Sequence, residues 1–314
     1  MAEKIATRDA YGNTLVELAE NYDFVVLDAD LAAATKTGVF AKKYPERHFN
    51  CGIAEGNMMS VAAGIAATGI TVFASSFAMF ATGRAFEQVR NNIGYPHLNV
   101  KICATHAGVT VGEDGATHQC LEDIGVMRLI PGMTVVNPAD AVEAAAAVRA
   151  AVKEKGPMYF RFGRSAVPVL FDKDTYRFEF GKGIQLTNGS DVAIVASGIT
   201  VYMAVEAAEI LKNEGIDARV IDIHTIKPID RELLTVAARE CGAVVTAEEH
   251  NVIGGLGSAV AETLAETCPV PILRVGVKDV FGRSGSAAEM LVLHGITPEN
   301  IAARAREAIE LKNR

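Results

Sequence analysis

Residues 105–119 read THAGVTVGEDGATHQ and continue from a short apolar run, Lys101–Thr105, that has the length and composition of a buried strand. Taken alone, the GEDG element (112–115) is a turn whose glycines supply unusual backbone angles. It is not a phosphate loop, because the Lys–Ser/Thr pair that would hold nucleotide and metal is missing. Its place at a strand end matters more. Three further segments, NCGIAEGNM (50–58), FASSFAMFA (73–81) and YFRFGR (159–164), also lie where strand candidates end. In a parallel sheet ligands bind at those ends. Glu55, Asp114 and His118 therefore fall on connections that can converge.

Outward from this stretch, short apolar runs alternate with longer amphipathic ones, the pattern of βα units. In the first half the strand candidates are Phe24–Asp28, Phe49–Ile53, Thr71–Ser75, Lys101–Thr105, Thr134–Asn137 and Met158–Phe162. Helices are expected at Asp9–Tyr22, Glu55–Thr68, Phe77–Asn92, Gln119–Leu129 and Ala139–Lys155, the last capped by Asp140. Ser165–Ser190, with Pro168 and several glycines, reads as an interdomain connection. A second series follows. Its strands are expected at Asp191–Ala196, Ala218–Ile223, Ala243–Ala247 and Ile272–Val275, between helices at Thr200–Glu214, Asp230–Cys241, Gly257–Thr267 and Pro298–Leu311. The glycines of NVIGGLGS (251–258) make a strand-to-helix turn and not a dinucleotide fingerprint. The expected class is α/β with two domains, each a mainly parallel sheet flanked by helices. They span 1–165 and 190–314, joined by a linker at 166–189.

At 314 residues the chain can give each domain its own core. The net charge of −8, with mixed signs throughout, recommends neither nucleic acid nor an anionic membrane as partner. The stretch Met1–Tyr11 lacks the apolar core of a signal peptide, and no uninterrupted run of eighteen or more apolar residues suggests a membrane span. Cys51, Cys103, Cys120, Cys241 and Cys268 are scattered and never in CxxC spacing, which points to reduced thiols and a cytoplasmic protein.

Singly, the candidate residues have ordinary explanations. Glu55 opens a helix, where a carboxylate favours the dipole. Phe77 and Phe80, three apart, would share a helix face in a core. His106 and His118 could be satisfied polar residues. Together, however, GIAEG, an S-S-F-x-x-F segment, TH-A-G-x-x-x-GEDG-x-THQ and the arginine of RFGR closely resemble the transketolase family in order and spacing. The resemblance covers nearly the whole chain, as a pyrimidine-binding domain followed by a transketolase C-terminal domain.

That resemblance implies thiamine diphosphate as cofactor and the transfer of a two-carbon ketol unit from a ketose to an aldose. The cofactor acts after losing the proton on its thiazolium C2, which its aminopyrimidine removes once a carboxyl group polarises that ring at N1′. The family match gives Glu55 this part, its carboxyl perturbed by apolar shielding for which Ile53, Met58 and Met59 are candidates. Phe77 and Phe80 match aromatics that pack on the aminopyrimidine, and Asp30 matches an aspartate near the cofactor. His106 and His118 match histidines that handle substrate hydroxyls and the reacting carbonyl, Asp114 an aspartate that reads a hydroxyl, and Arg164 an arginine that binds a sugar phosphate. Two positions depart from the family: Gly83 stands where a third aromatic is common, and Ala34 where a phosphate-contacting serine is common.

The GDG metal motif of such enzymes is absent. No metal ligand is therefore expected on this chain. The Mg2+ or Ca2+ and the diphosphate are expected on a separate N-terminal transketolase subunit, in an α2β2 assembly with sugar-phosphate substrates. Half of a deoxyxylulose-phosphate synthase-like or 2-oxoacid dehydrogenase E1 β-like enzyme, or a non-catalytic partner that keeps the fold, remain as alternatives. The GEDG-x-THQ run and the presence of Glu55 and His118 speak against them.

Overall fold

The computed structural model describes residues 3–314; Met1 and Ala2, part of the expected first domain, lie outside the described residues. Two α/β domains are present, each built on a mainly parallel sheet with flanking helices. The first sheet has seven strands. Their spatial order is Thr225–Lys227, Thr134–Val136, Met158–Phe162, Val100–Thr105, Thr71–Phe77, Phe24–Asp28 and His48–Asn50. All pair in parallel except Thr225–Lys227, which runs antiparallel to Thr134–Val136. The central strands Val100–Thr105 and Met158–Phe162 are buried at every residue, which is why they are mainly apolar, broken only by the buried Lys101 and Arg161.

Helices Thr7–Leu18 and Ala141–Ala151 cover one face of this sheet, enclosing Tyr11, Leu15, Phe24, Phe73, Phe160 and Phe162. The Asp140 side chain accepts from the Glu143 amide at 2.8 Å and so starts the second helix where expected. The other face packs on Glu55–Ala67 and the segment after Phe77. That core continues without a break into the second domain through Val195, Ile221, Leu234 and Leu256.

The second sheet is ordered Ile272–Val277, Val244–Asn251, Val192–Ala196, Ala218–Asp222 and Ile184–Gln185, the last strand antiparallel. Helices Thr200–Lys212 and Pro298–Lys312 cover one face, Arg231–Cys241 and Leu256–Thr267 the other. No helix among the described residues is long and apolar enough to cross a membrane.

Several local expectations need correcting. The single helix expected over Phe77–Asn92 is instead two wide π turns, Met79–Arg84 and Val89–Gly94, around the short helix Phe86–Gln88. Gly83 and Gly94 lie within them, where a Cβ would press on Met79 and Ile130 respectively. The expected connection contains strand Ala166–Pro168, which pairs antiparallel with Lys4–Ala6, and strand Ile184–Gln185. Helices Ala32–Thr35, Thr37–Lys43 and Ala287–Leu293 were too short to announce themselves by period.

Candidate functional site

Strand His48–Asn50 ends in a turn at Gly52 (φ 70°), and the chain then enters helix Glu55–Ala67. Asn50 braces the turn. Its Oδ1 accepts from the amides of Gly52 (2.9 Å) and Asp30 (3.0 Å), and its Nδ2 donates to Asp30 Oδ1 at 3.1 Å. Asp30 is exposed and left-handed (φ 63°), so its hydrogen bonds shape the Glu55 turn and do not reach the other candidates. Glu55 is 1 % exposed, and its Oε2 accepts from Arg84 Nη1 at 2.9 Å. Met58 and Met59 are fully buried beneath the helix, whereas Ile53 is 77 % exposed and shields nothing. It lies on the extended turn ahead of the helix, where the core cannot reach it.

Arg84 links Glu55 to an aromatic platform. Its guanidinium lies 4.6 Å from the Phe80 centroid, and Phe80 stacks on Phe77 at 5.9 Å with 15° between planes. The two rings do not share a helix face, as the spacing suggested. Phe77 ends strand Thr71–Phe77, and Phe80 belongs to the first π turn. His106 stacks on Phe77 at 3.9 Å, and His118 meets Phe77 and Phe80 edge-on at 6.2 and 5.4 Å.

His106 is 3 % exposed and held left-handed (φ 57°) at the end of the central strand. Its Nε2 lies 3.0 Å from Arg8 Nη1 and its Nδ1 2.8 Å from Thr105 Oγ1. A guanidinium only donates, so Nε2 accepts, and Nδ1 carries the proton toward Thr105. Burial first, then the charges of Arg8 and Arg164, push the His106 pKa down to about 3. The imidazole is neutral at neutral pH.

Gly108, Gly112 and Gly115, all at positive φ, turn the following loop, which leaves Asp114 exposed and His118 half-buried. Arg164 donates to the Val111 carbonyl and lies 3.5 Å from Asp114 Oδ2 and 3.6 Å from Glu113. The structure thus joins Glu55, Phe77, Phe80, His106 and His118 by direct or single-residue contacts. It sets the Asp114–Arg164 pair beside them, and leaves Asp30 apart.

Arg8, Lys36 and Arg84 were missed. Arg8 had a signal: it stands in the first turn of helix Thr7–Leu18, the end where the dipole opposes a cation. Its Nη1 also donates to the Ala34 carbonyl at 3.0 Å. Lys36 is left-handed (φ 68°), is tethered to Asp9 at 3.0 Å, and adds to the charge felt by His106. Arg84 reaches Glu55 across 29 positions, a pairing that no local pattern announces.

Residues 3–169 match the family described as "Transketolase, pyrimidine binding domain", and residues 181–301 match "Transketolase, C-terminal domain". A "Putative transketolase C-terminal section" from Methanocaldococcus jannaschii is 50% identical over 306 residues, 96% of each chain. A "6-deoxy-6-sulfo-D-fructose transketolase subunit" from Clostridium sp. is 44% identical over 307 residues, 98% of this chain and 95% of its own. A solved "Split gene transketolase, inactive beta4 tetramer" superposes with a TM-score of 0.92 at 55% identity, covering 98% of this chain and 99% of its own.

A pyrimidine-binding domain of this family implies thiamine diphosphate, and the residues present fit its pyrimidine end. A buried carboxyl suits a ring nitrogen that shares a proton, and the stacked phenylalanines offer a flat apolar surface. No group of three or more His, Cys, Asp or Glu among the described residues is arranged to hold a metal ion. The chain belongs to the transketolase family, as the C-terminal section of a split transketolase comprising its pyrimidine-binding and C-terminal domains.

Proposed function

We propose that this chain, with domains meeting across residues 166–189, works with a separate N-terminal subunit in a cytoplasmic α2β2 enzyme. That enzyme moves a two-carbon ketol unit between sugars with an anionic end. The cofactor lies between unlike chains, and the Mg2+ or Ca2+ that secures its diphosphate is held by the partner. The observation that carries this reading is one unbroken set of contacts, Glu55–Arg84–Phe80–Phe77–His106–Arg8. It places a carboxyl at one end of an aromatic platform and the neutral imidazole of His106 with a cation at the other. When bound, thiamine diphosphate supplies a carbon acid that adds to a carbonyl and an electron sink for the broken C–C bond.

The chain's own residues do the rest. Glu55 holds a proton at the aminopyrimidine N1′, and Phe77 and Phe80 orient that ring. Neutral His106, its Nδ1 proton directed at Thr105, accepts from a donor hydroxyl at Nε2 in place of Arg8, while His118 serves the reacting carbonyl. Asp114 reads the neighbouring hydroxyl. Arg164, with Arg8 and Lys36, receives the terminal anion, a phosphate, as in pentose-phosphate chemistry, or the sulfonate that names the Clostridium relative. Lys36 supplies charge that Ala34 cannot.

The test is co-expression with the N-terminal subunit, followed by calorimetric titration of thiamine diphosphate and a ketol-transfer assay. Transfer and tight binding are expected only for the pair. Tight binding of cofactor and metal by this chain alone overturns the two-subunit reading.

A further inference from the structure

The Gln119 side chain has no part in the roles above, yet it is 3 % exposed and engages both domains. Its amide nitrogen lies 3.3 Å from the Val109 carbonyl and 3.1 Å from that of Gly112, tying together the loop that carries Asp114. The same nitrogen lies 3.0 Å from the Arg283 carbonyl, on a second-domain segment just after strand Ile272–Val277. That segment has no slack. A Cβ at Gly282 would collide with Gln119 Oε1, and one at Gly115 would stand 2.5 Å from Ser284 Oγ. One at Gly112 would stand 3.2 Å from the Gly285 carbonyl. Further back, the buried Glu249 carboxylate of the second domain accepts from the Thr110 amide at 2.6 Å. The loop is thus moulded on second-domain residues at four points, none of which touches Glu55, Phe77 or Phe80.

We infer that the second domain acts on substrate recognition: through Gln119 as a positioning residue, the 282–286 segment sets the loop that presents Asp114 and His118. The inference rests on the function proposed above and gives the second domain a part in it. It predicts selective damage. A change in the second domain should loosen the donor sugar and leave the cofactor's pyrimidine end alone.

The experiment uses the assembled two-subunit enzyme with D-fructose 6-phosphate as donor, comparing Gly282→Ala and Gln119→Glu with wild type. Gly282→Ala displaces the amide, and Gln119→Glu sets a carboxylate against three carbonyl oxygens. KM for the donor should rise about tenfold, as for a lost buried hydrogen bond, with thiamine diphosphate Kd within about twofold of wild type. Hydrogen exchange at residues 109–119, which needs no substrate, should quicken in both variants. Unchanged exchange, or KM and cofactor Kd rising together, overturns the inference. Absence of ketol transfer by the wild-type pair overturns the function proposed above instead, and the exchange measurement still decides whether Gly282 controls the loop.

Discussion

Arg84 donates to the Glu55 carboxylate at 2.9 Å while its guanidinium rests on the Phe80 ring, so carboxyl and platform form one mechanical unit. The pair is asymmetric, because the Glu55 side chain is 1 % exposed and that of Arg84 54 %. Removing the arginine strands a buried carboxylate, whereas removing the carboxylate frees an arginine that already touches water. Arg84→Gln should therefore lower thermal stability at pH 8 more than Glu55→Gln does. The double variant should recover part of the loss, with a coupling of about 1 kcal/mol once screening at the exposed partner is allowed for. Additive melting shifts would remove the link.

Glu55→Gln keeps the shape and loses the acid. Assembly and fold should survive, and turnover should fall by about 10²- to 10⁴-fold, the usual worth of a positioned acid–base group. Steady-state kinetics on the two-subunit enzyme checks this, and wild-type turnover would dismiss Glu55 from the mechanism.

Two buried histidines should set the acid limit of stability. Burial pushes the pKa of His106 down to about 3 and that of His224, packed against Phe178, down to about 4, both from 6.5. A depressed folded-state value means that the unfolded chain binds the proton first. The contribution is therefore fully present above pH 6.5 and is lost as pH falls toward the folded values. Each histidine should cost about 1 to 2 kcal/mol of stability by pH 5. Melting curves from pH 7.5 to 5 for wild type and His224→Phe test it, the variant losing less. Parallel curves would contradict the assignment.

An opposite dependence comes from the junction of the domains. Asp222 ends strand Ala218–Asp222 fully buried, with no donor apart from the buried Glu143 carboxyl, which already accepts from Tyr176 and the Ala139 amide. Two such carboxylates must share a proton, and burial raises the pKa of both. A raised folded-state value gives stability present at low pH and lost as pH rises toward neutrality. Asp222→Asn should stabilise the protein at pH 8 by about 1 to 2 kcal/mol and much less at pH 5. A loss of stability at pH 8 would show that the pair is not strained.

The parallel sheets were legible because strands such as Met158–Phe162 are short, mainly apolar and buried throughout, and the structure reproduces that strand to the residue. The Asp140 cap was legible for the same reason: its chemistry is local. The π turns were not, since Phe77–Asn92 has ordinary helical spacing, and the crowding of Gly83 by Met79 and of Gly94 by Ile130 exists only in the folded chain. Within the site, motif residues declared themselves by resemblance. Arg84 and Arg8 work through partners 29 and 98 positions away, and one-dimensional patterns carry no trace of such distances. Gln119 lies within the GEDG-x-THQ motif, but its contact with the Arg283 carbonyl spans 164 positions and leaves no local pattern.

Strand Thr225–Lys227 lies at the outer edge of the first sheet, although it follows Ala218–Asp222 of the second. During synthesis, six strands of that sheet emerge well before the seventh exists, leaving Thr134–Val136 as an open edge on a half-made protein. Such an edge invites pairing with a neighbouring nascent chain. Truncation within the connection at 166–189 should therefore yield an aggregating fragment, and the earlier half of the gene product waits on the later half for its last strand.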